Sequence, residues 1–125
     1  MKRRVLHLIE TTGTVADAFE AFAAARGFTL LRHDTDWSAA IDFLPLADDV
    51  LIADLDRPDD VRGFLGWLGR LALMPRTIIV TSLETGFAAA LSAGATGIVI
   101  LAKPIRVEEL DAAIAGPAKP AAESA

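Results

Sequence analysis

Polar residues with the makings of a reactive site stand where apolar runs of this 125-residue chain stop. Asp54 ends the run Val50–Ala53, and Glu10 follows the aliphatic stretch Arg4–Ile9. Thr81, next to Ser82, follows Thr77–Val80, and Lys103 comes shortly after Ile98–Leu101. Short apolar runs bounded by turn residues read as strands buried on both faces, as in the middle of a parallel sheet. In such a sheet all these ends lie on one edge, where ligands bind in open α/β folds. Carboxylate, hydroxyl and ammonium would then share one crevice, a set that suits a phosphoryl group. Asp54 could attack phosphorus as a nucleophile. A divalent cation could be held by Glu10, Asp54 and a main-chain carbonyl, with Asp56 the candidate to lend it. Thr81 and Lys103 would bind the remaining oxygens.

Five strands and the helices between them must position these groups. The expected strands are Arg4–Ile9, Phe28–Arg32, Val50–Ala53, Thr77–Val80 and Ile98–Leu101. The second is short and soon polar at His33-Asp34, which suits an edge. Val15, Phe19, Phe22 and Ala23 recur at helical spacing and predict a helix over Val15–Arg26, stopped by Gly27. Further helices are expected over Trp37–Leu46, over Val61–Leu73 with its stripe Phe64, Leu65, Leu68 and Leu71, and over the Ala-rich Gly86–Ala93. The last, Val107–Ala115, would turn Val107, Leu110 and Ile114 inward. It carries Glu108 and Glu109 in its first turn, where the helix dipole favours acids. Alternating strands and helices predict an α/β flavodoxin-like (βα)5 three-layer sandwich, and right-handed crossovers favour a parallel five-stranded sheet of order 2-1-3-4-5. The domain is expected to span residues 1–115, with the Pro/Ala-rich 116–125 as a disordered tail.

Composition narrows the function. A net charge of −5 argues against a nucleic-acid partner, which needs a basic face. No apolar run approaches a membrane span, and the N-terminus lacks a signal core, so a cytoplasmic protein is the expectation. The absence of cysteine removes thiolate chemistry. His7, mid-strand among apolar neighbours, reads as a satisfied core histidine. His33 reads as a surface residue, Asp59 as a loop acid, and Trp37 and Trp67 as packing residues.

Three segments together resemble the receiver domain of two-component response regulators, the CheY-like family. VLIADLDRP (50–58) is similar to the family's apolar strand, phospho-acceptor Asp and following Pro. TIIVTS (77–82) is similar to the strand ending in its hydroxyl residue, here Thr81. AGATGIVILAKPIRVEELDAAIA (93–115) resembles its small-residue segment, its Lys-Pro with a cis peptide bond, and its final helix. The resemblance departs at the family's pair of adjacent metal-binding acids, where this chain has Ile9-Glu10. The switch aromatic of the fifth strand is also aliphatic here, at Ile98 or Ile100.

The resemblance implies a single-domain receiver-like signalling protein of a phosphorelay, without enzymatic activity beyond accepting a phosphoryl group. Asp54 would accept phosphoryl from a histidine kinase or phosphotransfer protein, with Thr81 and Lys103 sensing it. Alternatively, with one acid missing and Mg²⁺ weakly held or absent, the same surface would bind a downstream partner without phosphorylation. Homodimerisation through the fourth helix, fifth strand and fifth helix is a further expectation. A competing reading is a flavodoxin-like FMN-binding electron carrier, for which the turn Thr11-Thr12-Gly13-Thr14 before a helix N-terminus would cradle phosphate.

Overall fold

The structure is a computed structural model, and it describes residues 4–10, 16–34, 46, 48–71, 75–84, 86 and 97–115. Five parallel strands form one sheet in the order β2-β1-β3-β4-β5. They are β1 (Val5–Glu10), β2 (Thr29–Asp34), β3 (Val50–Asp54), β4 (Arg76–Thr81) and β5 (Ile98–Ala102). The described helices are α1 (Ala16–Arg26), α2 (Pro58–Leu68) and α3 (Val107–Ala115). The flavodoxin-like α/β fold and the strand order are as the sequence predicts. The helices expected over Trp37–Leu46 and Gly86–Ala93, the Thr11–Thr14 turn, Trp37 and the tail lie largely or wholly outside the described residues, so the dimer face built on the fourth helix does too.

β3 lies at the centre, and every residue from Val50 to Asp54 is buried. Its side chains alternate between two cores, as the period of a strand requires. On one face Val50 and Ile52 join Leu6, Leu8, Ile78 and Val80 beneath Phe19 and Phe22 of α1 and Leu110 and Ile114 of α3. On the other, Leu51 and Ala53 join Ile9 and Ile79 against Val61, Phe64, Trp67 and Leu68 of α2. Burying such side chains stabilises by about 1.5–3 kcal/mol each, and this sets the register that carries the polar ends.

Element ends depart from the sequence reading in ways that matter for the site. β1 and β2 run on to Glu10 and Asp34, because pairing with a neighbour overrides the polar character of their last residues. The helix expected over Val61–Leu73 is α2, and it starts at Pro58. Proline suits the first helical turn, where its missing N–H leaves nothing unpaired. Asp59 is therefore a first-turn helix acid, paired with Arg62 at 3.0 Å, rather than a loop acid. α2 stops at Leu68, where the Gly69 N–H bonds the Leu65 carbonyl, and Leu71 packs on the core from outside the helix. Val107 is half exposed instead of facing inward, since it opens the first turn of α3. Gly27 ends α1 at φ +74°, a left-handed conformation that favours glycine.

Candidate functional site

The parallel register brings the predicted residues to one edge. Glu10 of β1 pairs directly with Asp54 of β3, and Asp54 with Val80 of β4. Leu55 donates its N–H to the Val80 carbonyl at 3.0 Å, and Lys103 donates its own to the Thr81 carbonyl at 2.9 Å. These two bonds carry the strand pairing one residue past each strand, and so deliver Asp56 and Lys103 to the same crevice. The Lys103–Pro104 peptide bond is cis, as the receiver resemblance implies.

Asp54, Asp56 and Lys103 meet. Lys103 Nζ lies 2.5 Å from Asp54 Oδ1 and 2.8 Å from Asp56 Oδ2. Asp54 is fully buried, whereas Lys103 and Asp56 keep a quarter or less of their side-chain surface in solvent. Asp56 Oδ1 in turn accepts hydrogen bonds from the Ser82 N–H (2.8 Å) and hydroxyl (3.0 Å). Burial pushes the Asp56 carboxyl up, but Lys103 and the Ser82 donors outweigh it and hold the group below its ordinary range. Burial likewise pushes the Lys103 ammonium down, and the hydrogen bonds and charges of Asp54 and Asp56 more than reverse that. Asp56 thus brings its side chain into the crevice, bound to Lys103 and Ser82.

Glu10 and Thr81 are placed but engaged elsewhere. Thr81 is fully buried, and its Oγ1 accepts the Leu83 N–H at 3.0 Å, which shapes the turn after β4. Glu10 is buried at the end of β1, beside Asp54. Its Oε2 accepts two hydrogen bonds from Arg32 of β2, from Nε at 3.2 Å and Nη2 at 3.0 Å. Arg32 Nη1 reaches Glu20 of α1 at 3.4 Å. The hydrogen bond to Glu10, opposed by partial burial, holds the Arg32 guanidinium more firmly protonated.

A divalent cation needs several oxygens converging on one point, in octahedral array for Mg²⁺. Here Asp54 Oδ1 faces an ammonium, both Asp56 oxygens are engaged, and Glu10 Oε2 is held by a guanidinium. Glu10 Oε1 is buried without a hydrogen-bond partner among the described residues. Among the described residues no group of three or more acidic or histidine side chains is arranged to hold a metal ion. The donor set as it stands does not fit Mg²⁺.

No family model and no curated protein matches the sequence. Among solved structures it is similar to a CheY-like response regulator protein from Mesorhizobium loti. That likeness has a TM-score of 0.60 and 18% identity, and covers 91% of this chain and 98% of the other. The chain has the fold of a CheY-like receiver. Within the receiver fold, the C-terminal sheet edge is also the edge that carries Glu10, Asp54 and Lys103. The comparison is one of fold, at an identity that transfers no residue role.

Sequence reading passed over Arg32 and Ser82 as site residues, and it also separated three residues that the fold joins. His7 Nε2 lies 2.8 Å from Asp49 Oδ2, and His7 Nδ1 lies 3.0 Å from His33 Nε2. With Asp49 as acceptor, a neutral His7 donates through Nε2 and accepts through Nδ1. His7 is the satisfied core histidine expected. His33 is not a plain surface residue, since it is partly buried and stacked on the His7 ring at 5.2 Å. The available signal was the shared parity of His7 and His33 on adjacent parallel strands, legible only once the register is known.

Proposed function

We propose that this protein is a receiver-like signalling module that acts by binding a protein partner, with the Asp54 crevice as its control point. The observation carrying this reading is that each carboxylate of the crevice meets a cation from within the chain. Lys103 bridges Asp54 and Asp56, and Arg32 holds Glu10. Such a crevice keeps the receiver surface in one defined state without a phosphoryl group or a metal ion. An apolar groove lined by Phe19, Phe22, Ile105 and Leu110 opens beside Lys103, between α1 and the start of α3. It offers a protein partner an apolar foothold next to the charged cluster. On this reading the chain is not a catalyst.

A second reading keeps Asp54 as a phosphoryl acceptor, served by a histidine kinase or phosphotransfer protein. Its support is Lys103, whose ammonium already touches Asp54 and would meet the oxygens of an acyl phosphate formed there. Intact-mass measurement after incubation with acetyl phosphate and Mg²⁺ separates the two. The first reading expects no phosphoryl adduct. An adduct that disappears in Asp54→Ala would establish the second. The flavin-carrier reading gains no support from any described residue, and an FMN titration without retained flavin would dispose of it.

A further inference from the structure

We propose that Arg32 is the crevice's resident counter-cation, which occupies Glu10 in place of a divalent metal ion and keeps such ions out. The inference rests on the crevice being the control point, but it concerns only the charge balance there. Its test uses neither a phosphoryl donor nor a partner.

Register comes first. β2 pairs with β1 so that Arg32 stands opposite Leu8 and two residues short of the partner of Glu10. Side chains alternate along a strand, so Arg32, Leu8 and Glu10 share the face covered by α1. From there the guanidinium lies over the end of β1. It sends Nε and Nη2 to Glu10 Oε2 and Nη1 to Glu20 of α1. Two acids on two elements fix its position, and about half of the arginine side chain stays in solvent.

Charge comes second. The crevice holds three carboxylates, Glu10, Asp54 and Asp56. Lys103 lies between the latter pair and offsets one of their two charges, while Glu10 takes its cation, Arg32, from β2. An entering dication would meet the guanidinium at the same carboxylate and be repelled by it. Taking Arg32 away reverses this. Glu10 would then be a buried carboxylate with neither oxygen matched among the described residues, since Oε1 already lacks a partner. A buried charge in that state demands a counter-ion.

The test is a titration with Mn²⁺ and Mg²⁺, read by calorimetry and by melting temperature. Wild-type protein should show no saturable binding that depends on Glu10 and no metal-dependent rise in melting temperature. Arg32→Met should bind Mn²⁺ tighter than wild type by roughly tenfold or more, and the metal should raise its melting temperature. Adding Glu10→Gln to that variant should abolish both effects. Glu10-dependent binding in the wild type, or no gain in Arg32→Met, would overturn the proposal. Should Arg32→Met fail to fold, the Arg32 Nε–H resonance of the wild type decides. Resonance shift and exchange protection unchanged through an Mg²⁺ titration agree with the proposal; a saturable shift or loss of protection refutes it.

Discussion

Removing the Lys103 ammonium is the sharpest probe of the crevice. In Lys103→Met the methionine keeps most of the apolar stem, so packing changes little and the charge is what is lost. Asp54 is then a fully buried carboxylate that has lost the Lys103 ammonium, and among the described residues Asp56 keeps Ser82. Breaking a buried ion pair from one side costs about 3–5 kcal/mol, because the surviving charge stays uncompensated. For a domain of this size that lowers the melting temperature by roughly 10–20 °C. Asp54→Asn removes the buried charge itself and leaves Lys103 bound to the partly exposed Asp56. In that background losing the lysine should cost only about 1 kcal/mol, as for a largely solvated pair. The double-mutant cycle therefore predicts a coupling of about 2–4 kcal/mol between Lys103 and Asp54. Urea unfolding followed by circular dichroism on the four proteins measures it. If Lys103→Met unfolds within about 1 kcal/mol of the wild type, or if Asp54→Asn does not relieve its defect, the buried-pair account is wrong.

Three further outcomes follow from the same geometry. Asp56 titrates below its ordinary value near 3.8, so an unfolded chain takes up that proton first; its contribution is complete above that value and fades as the pH falls through the folded one. Lys103 titrates above its ordinary value near 10.5, so its contribution is complete below that value and fades as the pH climbs through the raised one. Urea midpoints measured against pH should show both limbs, and Asp56→Asn should flatten the acid limb. Phe64→Ala empties a fully buried position between α2 and the sheet and should cost about 3–5 kcal/mol in the same assay. Gly27→Ala has open space for its methyl group but an unfavourable φ, and should cost about 1 kcal/mol from the backbone alone.

The site was partly legible because its members end apolar runs. Asp54, Glu10, Thr81 and Lys103 are singled out by where hydrophobicity stops, and a parallel sheet sends all such ends to one edge. What they do there was not legible. Thr81 spends its hydroxyl on Leu83, and Asp56 contributes a side chain because pairing continues one residue past β3. Likewise, Pro58 looks like a terminator in the sequence, yet it opens α2, since the same fixed φ serves a helix start.

The amino-acid sequence by itself determined the strands, the sheet order and the edge on which the polar residues gather, because strand period, helix stops and crossover handedness are local or nearly local rules. Tertiary structure alone decided who pairs with whom. Arg32 and Glu10 are 22 residues apart, His7 and Asp49 are 42 apart, and Asp56 and Lys103 are 47 apart. Each pair depends on the register between strands, and a slip of one residue would turn Arg32 to the opposite face of the sheet. That register is set by the two apolar cores. The charge balance of the crevice is thus a consequence of how the whole sheet packs.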